Sequence, residues 1–283
     1  MDISTKIDPF TSEVLTLVSK ITDSLNMDFF VIGATARDII FNLIYGIKIQ
    51  RGTNDIDFSV RVKNWEDYTR LTDALKENNF SPSKIVHRFT YKSIPSIDII
   101  PFGEISLDSA SIKWPDQEAK EMSIIGFEEC FQDSESVRIK ANPPLDIKIA
   151  STKGLVLMKL ISWKDGFPSR SRDALDILYI INNYIEAGNM DRLKSEHSDL
   201  INDQFDFELT GAILLGRDIS EIANPQTLEL LVNILEVEIK NEGNSKFISD
   251  MMIGTSIISQ QDNMIQHNSI LLSNLLLGLK YNQ

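Results

Sequence analysis

Three aspartates stand in two short segments whose residue patterns are typical of β-strands. Asp55 and Asp57 open the alternating segment DIDFSVRV, and Asp98 lies within SIDII. Residues i and i+2 of a strand point to the same side, so Asp55 and Asp57 present neighbouring carboxylates. Like charges this close are unfavourable unless a cation lies between them, and hard oxygen ligands suit Mg²⁺ or Mn²⁺. The spacing predicts a metal site, with a solvated strand edge as the alternative.

Asp98 is the third candidate ligand because its neighbours are apolar. A carboxylate in an interior strand is unfavourable to desolvate without a partner. A metal ion shared with Asp55 and Asp57 would supply that partner. A strand-end position or a salt bridge is the alternative interpretation.

A glycine turn precedes these aspartates in the segment GATARD, residues 33–38. It follows the apolar run FFVI and opens a segment with helical spacing. Glycine lets the backbone approach a ligand closely, and a helix N-terminus suits phosphate. Gly33 and Ala34 are therefore candidate phosphate contacts, although most turns of this kind bind nothing. Arg37 either orients the loop or pairs with its neighbours.

The elements that must position these residues follow from hydrophobic periodicity. The N-terminal part predicts strands and helices in mixture: helices 10–25, 35–45 and 65–79, and strands 28–32, 55–62, 84–92, 96–100, 122–131 and 137–140. After the breaker Asn142-Pro-Pro144 the chain predicts helices alone: 149–163, 172–185, 208–223, 225–240 and 261–280. This pattern predicts an α+β protein, with a mixed β-sheet and flanking helices in a domain 1–145 and an all-helical domain 146–283.

Composition limits the classes of function. The chain has 283 residues and one cysteine, Cys130, so an internal disulfide is impossible and a cysteine zinc site is disfavoured. We expect a cytoplasmic protein without a membrane segment, because the sequence shows no signal peptide and no apolar run of about 18 residues. The net charge of −13 argues against broad nucleic-acid binding.

A basic island interrupts this acidic chain between Arg138 and Arg172. It contains eight Lys or Arg and two Asp, a surplus of six positive charges. The island indicates either a local anion site or a solvated helix face.

The motifs resemble those of a known superfamily. GATARD followed by NDIDF resembles the G-G-x-V-R-D and D-h-D motifs of CCA-adding enzymes, within the nucleotidyltransferase superfamily of the polymerase-beta type. Ala34 stands where that family usually has a second Gly or a Ser, so a hydroxyl contact to phosphate is lost while backbone contacts survive. KLISWKD at 159–165, RDALD at 172–176 and LLGRD at 214–218 resemble segments of the AbiEii-like nucleotidyltransferase toxins of bacterial toxin–antitoxin and phage-defence systems. The resemblance spans residues 28 to 220.

This resemblance implies roles for individual residues. Asp55, Asp57 and Asp98 would hold Mg²⁺ or Mn²⁺, and Asp98 would help deprotonate the incoming hydroxyl. The remaining candidates would contact the nucleotide: Gly33 and Ala34 at the β and γ phosphates, Lys159 or Lys153 at the triphosphate, and Arg37, Arg172 and Asp173 in the cleft. Asp173 is an additional base in this interpretation. Its position near a helix start gives a structural alternative.

The implied activity is transfer of a nucleotide from an NTP to an acceptor hydroxyl. The basic island favours RNA as the acceptor, in particular a tRNA 3′ end, and the toxin families imply an antitoxin partner. The acidic total charge favours a protein or small-molecule hydroxyl instead. A non-catalytic nucleotide-binding protein is the third possibility, which Ala34 favours and the three aspartates oppose.

Overall fold

The computed structural model describes residues 1–281 except 50, 54, 93, 107, 109, 116–120, 204 and 255–260. The chain forms two compact units, Met1–Ser151 and Thr152–Gln283. The sequence predicted a domain boundary after residue 145. In the structure, a strand of the first unit continues beyond that residue.

A seven-stranded mixed sheet forms the centre of the first unit, in the order β3-β4-β5-β2-β1-β9-β8. Its strands are β1 Phe29–Ile32, β2 Ile56–Arg61, β3 Ser81–Pro82, β4 Arg88–Tyr91, β5 Ile94–Phe102, β8 Glu135–Ala141 and β9 Pro144–Ile149. The pairs β2/β5 and β1/β9 are parallel, and the other pairs are antiparallel. A separate hairpin contains β6 Ser111–Lys113 and β7 Glu121–Ser123.

Among its described residues, the first unit has the α-helices α1 Pro9–Leu25, α2 Gly33–Asp38, α3 Trp65–Glu77 and α4 Phe127–Gln132. Local capping explains where two of them begin. The side chain of Asp8 accepts the backbone N–H of Thr11 at the start of α1, and Asn64 caps α3 in the same way. A π-helical stretch, Ile39–Ile44, continues α2. The predicted α+β class is confirmed by this mixed sheet and its helices.

Two predictions for this unit were wrong in detail. The predicted strand 122–131 is β7 followed by helix α4, which begins after Gly126 at a φ of 87°. The apolar run across this segment resembles a strand because it is too short to show a helical period. Strand β9 was missed because Asn142-Pro-Pro144 indicates a breaker. Pro144 instead occupies the first position of the strand, where proline is tolerated.

The described residues of the second unit form helices and no strand, as the sequence predicts. They are α5 Thr152–Gly166, α6 Arg172–Asn183, α7 Met190–Ser195, α8 Phe207–Ile222, α9 Pro225–Lys240, α10 Lys246–Met251 and α11 Gln261–Leu279. The five longest were predicted within a few residues, whereas α7 and α10 are too short to give a periodic signal. In the part of the chain that the structure describes, no helix is both long enough and apolar enough to span a membrane.

Helices α8 and α11 meet backbone to backbone at two glycines. A Cβ on Gly216 would lie 2.3 Å from the carbonyl oxygen of Leu275, and a Cβ on Gly278 would lie 2.1 Å from that of Ile213. Both obstacles are main-chain atoms, so a side chain there displaces a whole helix. The sequence shows these glycines inside apolar helices without showing that they face one another.

Alanine at Gly216 is expected to destabilise the protein by about 1–3 kcal/mol through overpacking. This loss exceeds the gain of at most about 1 kcal/mol that alanine brings through helix propensity. Denaturant unfolding measures the change. Gly243→Ala is the control, since a Cβ at Gly243 has no neighbour within 4 Å. Equal stabilities for the two variants would contradict the close helix contact.

Candidate active site

Two of the candidate aspartates lie side by side on parallel strands. Asp57 of β2 is the register partner of Asp98 of β5, and on its other side it faces Ile32 of β1. Directly opposed residues of neighbouring strands point to the same face of the sheet. Asp55 immediately precedes β2, and its carbonyl oxygen accepts a hydrogen bond of 2.8 Å from the Thr35 hydroxyl of α2. The geometry therefore brings Asp57 and Asp98 together and ties Asp55 to the first turn of α2.

The glycine turn contacts the Asp57 carboxylate. Gly33 has a φ of 64°, in the left-handed region that favours glycine. A Cβ built on Gly33 would lie 2.4 Å from Oδ2 of Asp57. Only the absence of a side chain therefore lets the turn and the carboxylate lie this close. Ala34, the next residue, is half-buried.

Arg88 of β4 is the partner of Asp98. Its Nε donates to Oδ1 at 2.7 Å and its Nη2 donates to Oδ2 at 2.8 Å, a bidentate pair. His87 Nε2 is 3.9 Å from Oδ2 of the same carboxylate. Asp98 therefore forms a salt bridge, which the sequence analysis gave as an alternative to metal binding. Sequence reasoning missed Arg88, whose only signal was its place in a predicted strand.

Arg37 forms hydrogen bonds with groups close to it in the sequence. Its side chain is buried, and Nε and Nη2 donate to Oδ1 of Asp38 at 2.8 and 2.6 Å. Nη2 also donates to the carbonyl oxygen of Arg51 at 2.7 Å. These bonds fasten the segment before Asp55 to α2, so Arg37 shapes the loop that leads into the site.

These aspartates suit a divalent cation for which the protein supplies only part of the ligands. Among the described residues, no three carboxylate, imidazole or thiol groups are arranged to hold an ion together. Both oxygens of Asp98 accept hydrogen bonds from Arg88. Mg²⁺ is nevertheless commonly bound through one or two carboxylates plus substrate phosphates. Asp55 and Asp57, beside a turn that only glycine fits, provide donors of that kind.

A cavity of about 580 Å³ opens beside Asp55 within the first unit. Its wall includes Thr35 and Asn42 from the helical segment after the glycine turn, and Phe10 from the start of α1. Ligand cavities typically measure about 300–1,000 Å³ and combine apolar walls with a few polar groups. The volume of this cavity falls within that range, and its wall reaches Asp55.

Two of the candidate residues of the second unit, Lys159 and Asp173, belong to a buried ion cluster. The ammonium of Lys159 lies 3.0 Å from Oδ1 of Asp173 and 2.7 Å from Oδ2 of Asp176. Arg170 Nε is 2.8 Å from Oδ2 of Asp173. Burial alone would lower the pKa of Lys159, but the two carboxylates together raise it above its ordinary value. Lys159 therefore stays charged and joins helix α5 to α6.

The nucleotide roles of Lys159, Asp173, Lys153 and Arg172 stay predictions. Lys153 is half-buried in the first turn of α5, and Arg172 is exposed as the first residue of α6.

The basic island is partly neutralised by its own surroundings. Arg138 forms a bidentate pair with Asp146 across strands β8 and β9, at 2.8 and 2.9 Å. Lys159 and Arg170 are paired as described above, and the ammonium of Lys148 lies 4.1 Å from the ring centre of Phe131. The island therefore presents less unpaired positive charge than its sequence suggests.

Comparisons with known proteins identify one matching family model. The family described as nucleotidyl transferase AbiEii toxin, type IV toxin–antitoxin system, matches residues 17–259. No curated protein matches the chain.

Three solved structures show distant similarity. The antibiotic-resistance factor ANT(2″)-Ia has 11% identity and a TM-score of 0.38, over 69% of this chain and 96% of that one. An antigenic nucleotidyltransferase-like protein from Paracoccidioides brasiliensis has 18% identity and a TM-score of 0.38, over 67% and 89%. A CCA-adding enzyme in complex with CTP has 17% identity and a TM-score of 0.27, over 92% and 56%.

Proposed function

This chain belongs to the AbiEii family of nucleotidyltransferase toxins from type IV toxin–antitoxin systems, and from that premise we propose that it transfers a nucleotide from an NTP to a hydroxyl group of RNA. The tRNA 3′ end is the first acceptor to test. The proposed catalysis is supported mainly by the position of Asp57 beside Asp98 on neighbouring strands. Asp55 lies two residues before Asp57, and Gly33 lies against the Asp57 carboxylate.

Asp55 and Asp57 are the residues that we propose to hold Mg²⁺. When bound, the ion neutralises charge on the triphosphate and favours attack at its α-phosphorus. Two carboxylates completed by substrate oxygens form the usual kind of magnesium site. The turn at Gly33 and Ala34 offers backbone N–H groups to the β and γ phosphates.

The transfer step follows from this arrangement. The acceptor hydroxyl oxygen forms a bond to the α-phosphorus, and the bond from that phosphorus to the bridging oxygen of the β-phosphate breaks. Pyrophosphate leaves, and the hydroxyl proton passes to a base, for which Asp98 is the candidate. Positioning and charge neutralisation supply most of the rate enhancement in phosphoryl transfer. The cavity beside Asp55 has room for a nucleoside portion of a substrate.

The family also implies an antitoxin partner and a nucleotide substrate. A protein or small-molecule hydroxyl is the second candidate acceptor, because the net charge of −13 disfavours broad contact with a polyanion. Several basic side chains of the basic island are paired with neighbouring groups, which further weakens the argument for RNA as the acceptor.

A labelling experiment tests the acceptor class. The protein is incubated with each of the four α-³²P-labelled NTPs, Mg²⁺ and either total RNA or total protein, with EDTA in a parallel reaction. Label in RNA that disappears with EDTA is the expected result. Label in protein alone would overturn the RNA acceptor, and no label in either fraction with any NTP would oppose transfer to either class.

The Gly33 turn gives a structural test of the same site. In Gly33→Ala the new Cβ meets the Asp57 carboxylate, so transfer is expected to fall at least about tenfold, a loss of about 1.4 kcal/mol in transition-state stabilisation. The left-handed backbone adds strain of about 1–2 kcal/mol, which lowers the thermal midpoint.

Gly46→Ala is the matched control for this variant. Gly46 has a similar φ of 72°, but a Cβ there has no neighbour within 4 Å. It is expected to lose stability by a similar amount while keeping its transfer rate. Equal rates for the two variants would remove Gly33 from the site.

A further inference from the structure

Arg88 belongs to the same cross-strand row as the aspartates. It is the register partner of Asp98 on β4, and Asp98 is the register partner of Asp57 on β2. One guanidinium and two carboxylates therefore follow one another across three neighbouring strands. The Arg88 side chain is 34% exposed and that of Asp98 is 17% exposed, so water screens their attraction only in part.

The charge of Arg88 interacts with all three aspartates. The hydrogen bonds to Asp98 raise the pKa of Arg88 first, and the charges of Asp98, Asp55 and Asp57 raise it further. Three carboxylates and one guanidinium leave two negative charges in this group. One divalent cation is enough to balance them.

Arg138 provides an internal comparison because it forms the same kind of pair. It faces Asp146 directly across β8 and β9, and two N–H groups donate to the two carboxylate oxygens. These strands lie at the other end of the sheet from β4 and β5. The ion pairs share their chemistry, but only Arg88 shares its carboxylate partner with the candidate metal site.

We propose that Arg88 is a built-in competitor of the divalent cation for Asp98. This inference rests on the proposed function, in which Asp55 and Asp57 hold Mg²⁺. With Arg88 in place, both oxygens of Asp98 accept hydrogen bonds and the site holds one cation on the other two aspartates. When Arg88 withdraws, Asp98 becomes available as a cation ligand or a proton acceptor. Arg88 is thus a positioning residue that acts through Asp98.

Binding of Mn²⁺ in the absence of NTP tests this competition without measuring activity. Free Mn²⁺ is followed by electron paramagnetic resonance during titration of the wild type, Arg88→Gln and Arg138→Gln. Arg88→Gln is expected to bind Mn²⁺ about tenfold more tightly, equivalent to about 1.4 kcal/mol. The substitution frees Asp98 and removes one positive charge from the row. Arg138→Gln is expected to match the wild type, and Asp57→Asn measures the background from the acidic surface.

The proposal would be overturned if Arg88→Gln bound Mn²⁺ no more tightly than the wild type. It would also be overturned if neither protein bound Mn²⁺ above the background. Arg88→Lys keeps the charge but loses the bidentate geometry, and an affinity above that of the wild type is expected. If thermal unfolding shows that Arg88→Gln does not fold, the same criterion applies to Arg88→Lys. Absence of transfer in the labelling experiment concerns the proposed function alone, because the Mn²⁺ titration contains neither NTP nor acceptor.

Discussion

Asparagine at Asp57 is expected to slow nucleotidyl transfer at least about a hundredfold. The amide keeps the size of the carboxylate but loses the negative charge that attracts a divalent cation. Asp57 is the central candidate because it lies between the Gly33 turn and Asp98. Initial rates with labelled NTP and Mg²⁺ measure the effect.

Stability should respond to this substitution in the opposite direction. Asp57 and Asp98 are neighbouring negative groups, and their repulsion is relieved when one becomes neutral. Without divalent cations, Asp57→Asn is therefore expected to unfold at the same temperature as the wild type or at a higher one. A lost rate together with retained stability assigns Asp57 to function rather than to folding.

Asp146→Asn is the matched control, because it also neutralises an aspartate on a strand of this sheet. Its ion pair with Arg138 is about half exposed, so little change in stability is expected. Its transfer rate should equal that of the wild type. Equal rates for the wild type and Asp57→Asn would exclude Asp57 from catalysis.

The sequence predicted the main elements of the site because they depend on local periodicity. The two-residue alternation placed Asp57 on a strand, and a glycine between an apolar run and a helix indicated the turn at Gly33. The relation between Asp57 and Asp98 depends instead on which strands pair and in which register. No local pattern encodes that pairing, and the order of the motifs was informative only through the resemblance to a superfamily.

The charged partners could not be predicted for the same reason. Arg88 meets Asp98 because β4 and β5 are antiparallel neighbours with a particular register. Lys159 was interpreted as a triphosphate contact because of the family resemblance, and its carboxylate partners lie 14 and 17 residues away. At those separations, only the packing of α5 against α6 brings the charges together.

Methionine at Lys159 is expected to lower the free energy of unfolding by about 3–5 kcal/mol. Asp173 and Asp176 are each about 95% buried, and their carboxylates accept hydrogen bonds from the Lys159 ammonium. Removing that ammonium leaves negative charge inside the helical unit without its main compensation. Arg170 retains one contact with Asp173. Denaturant unfolding at neutral pH measures the change.

A double substitution separates this structural role from nucleotide binding. Lys159→Met combined with Asp176→Leu removes charges of both signs, and replacing a buried ion pair by apolar groups is often nearly neutral. The double variant should therefore recover much of the stability lost in Lys159→Met, which shows that the two residues are coupled. Lys164→Met, at an exposed position of the same helix, should change stability by less than about 0.5 kcal/mol. If Lys159→Met instead unfolds like the wild type but binds NTP more weakly, the buried pairs are not its main role, and Lys159 is a ligand of the triphosphate.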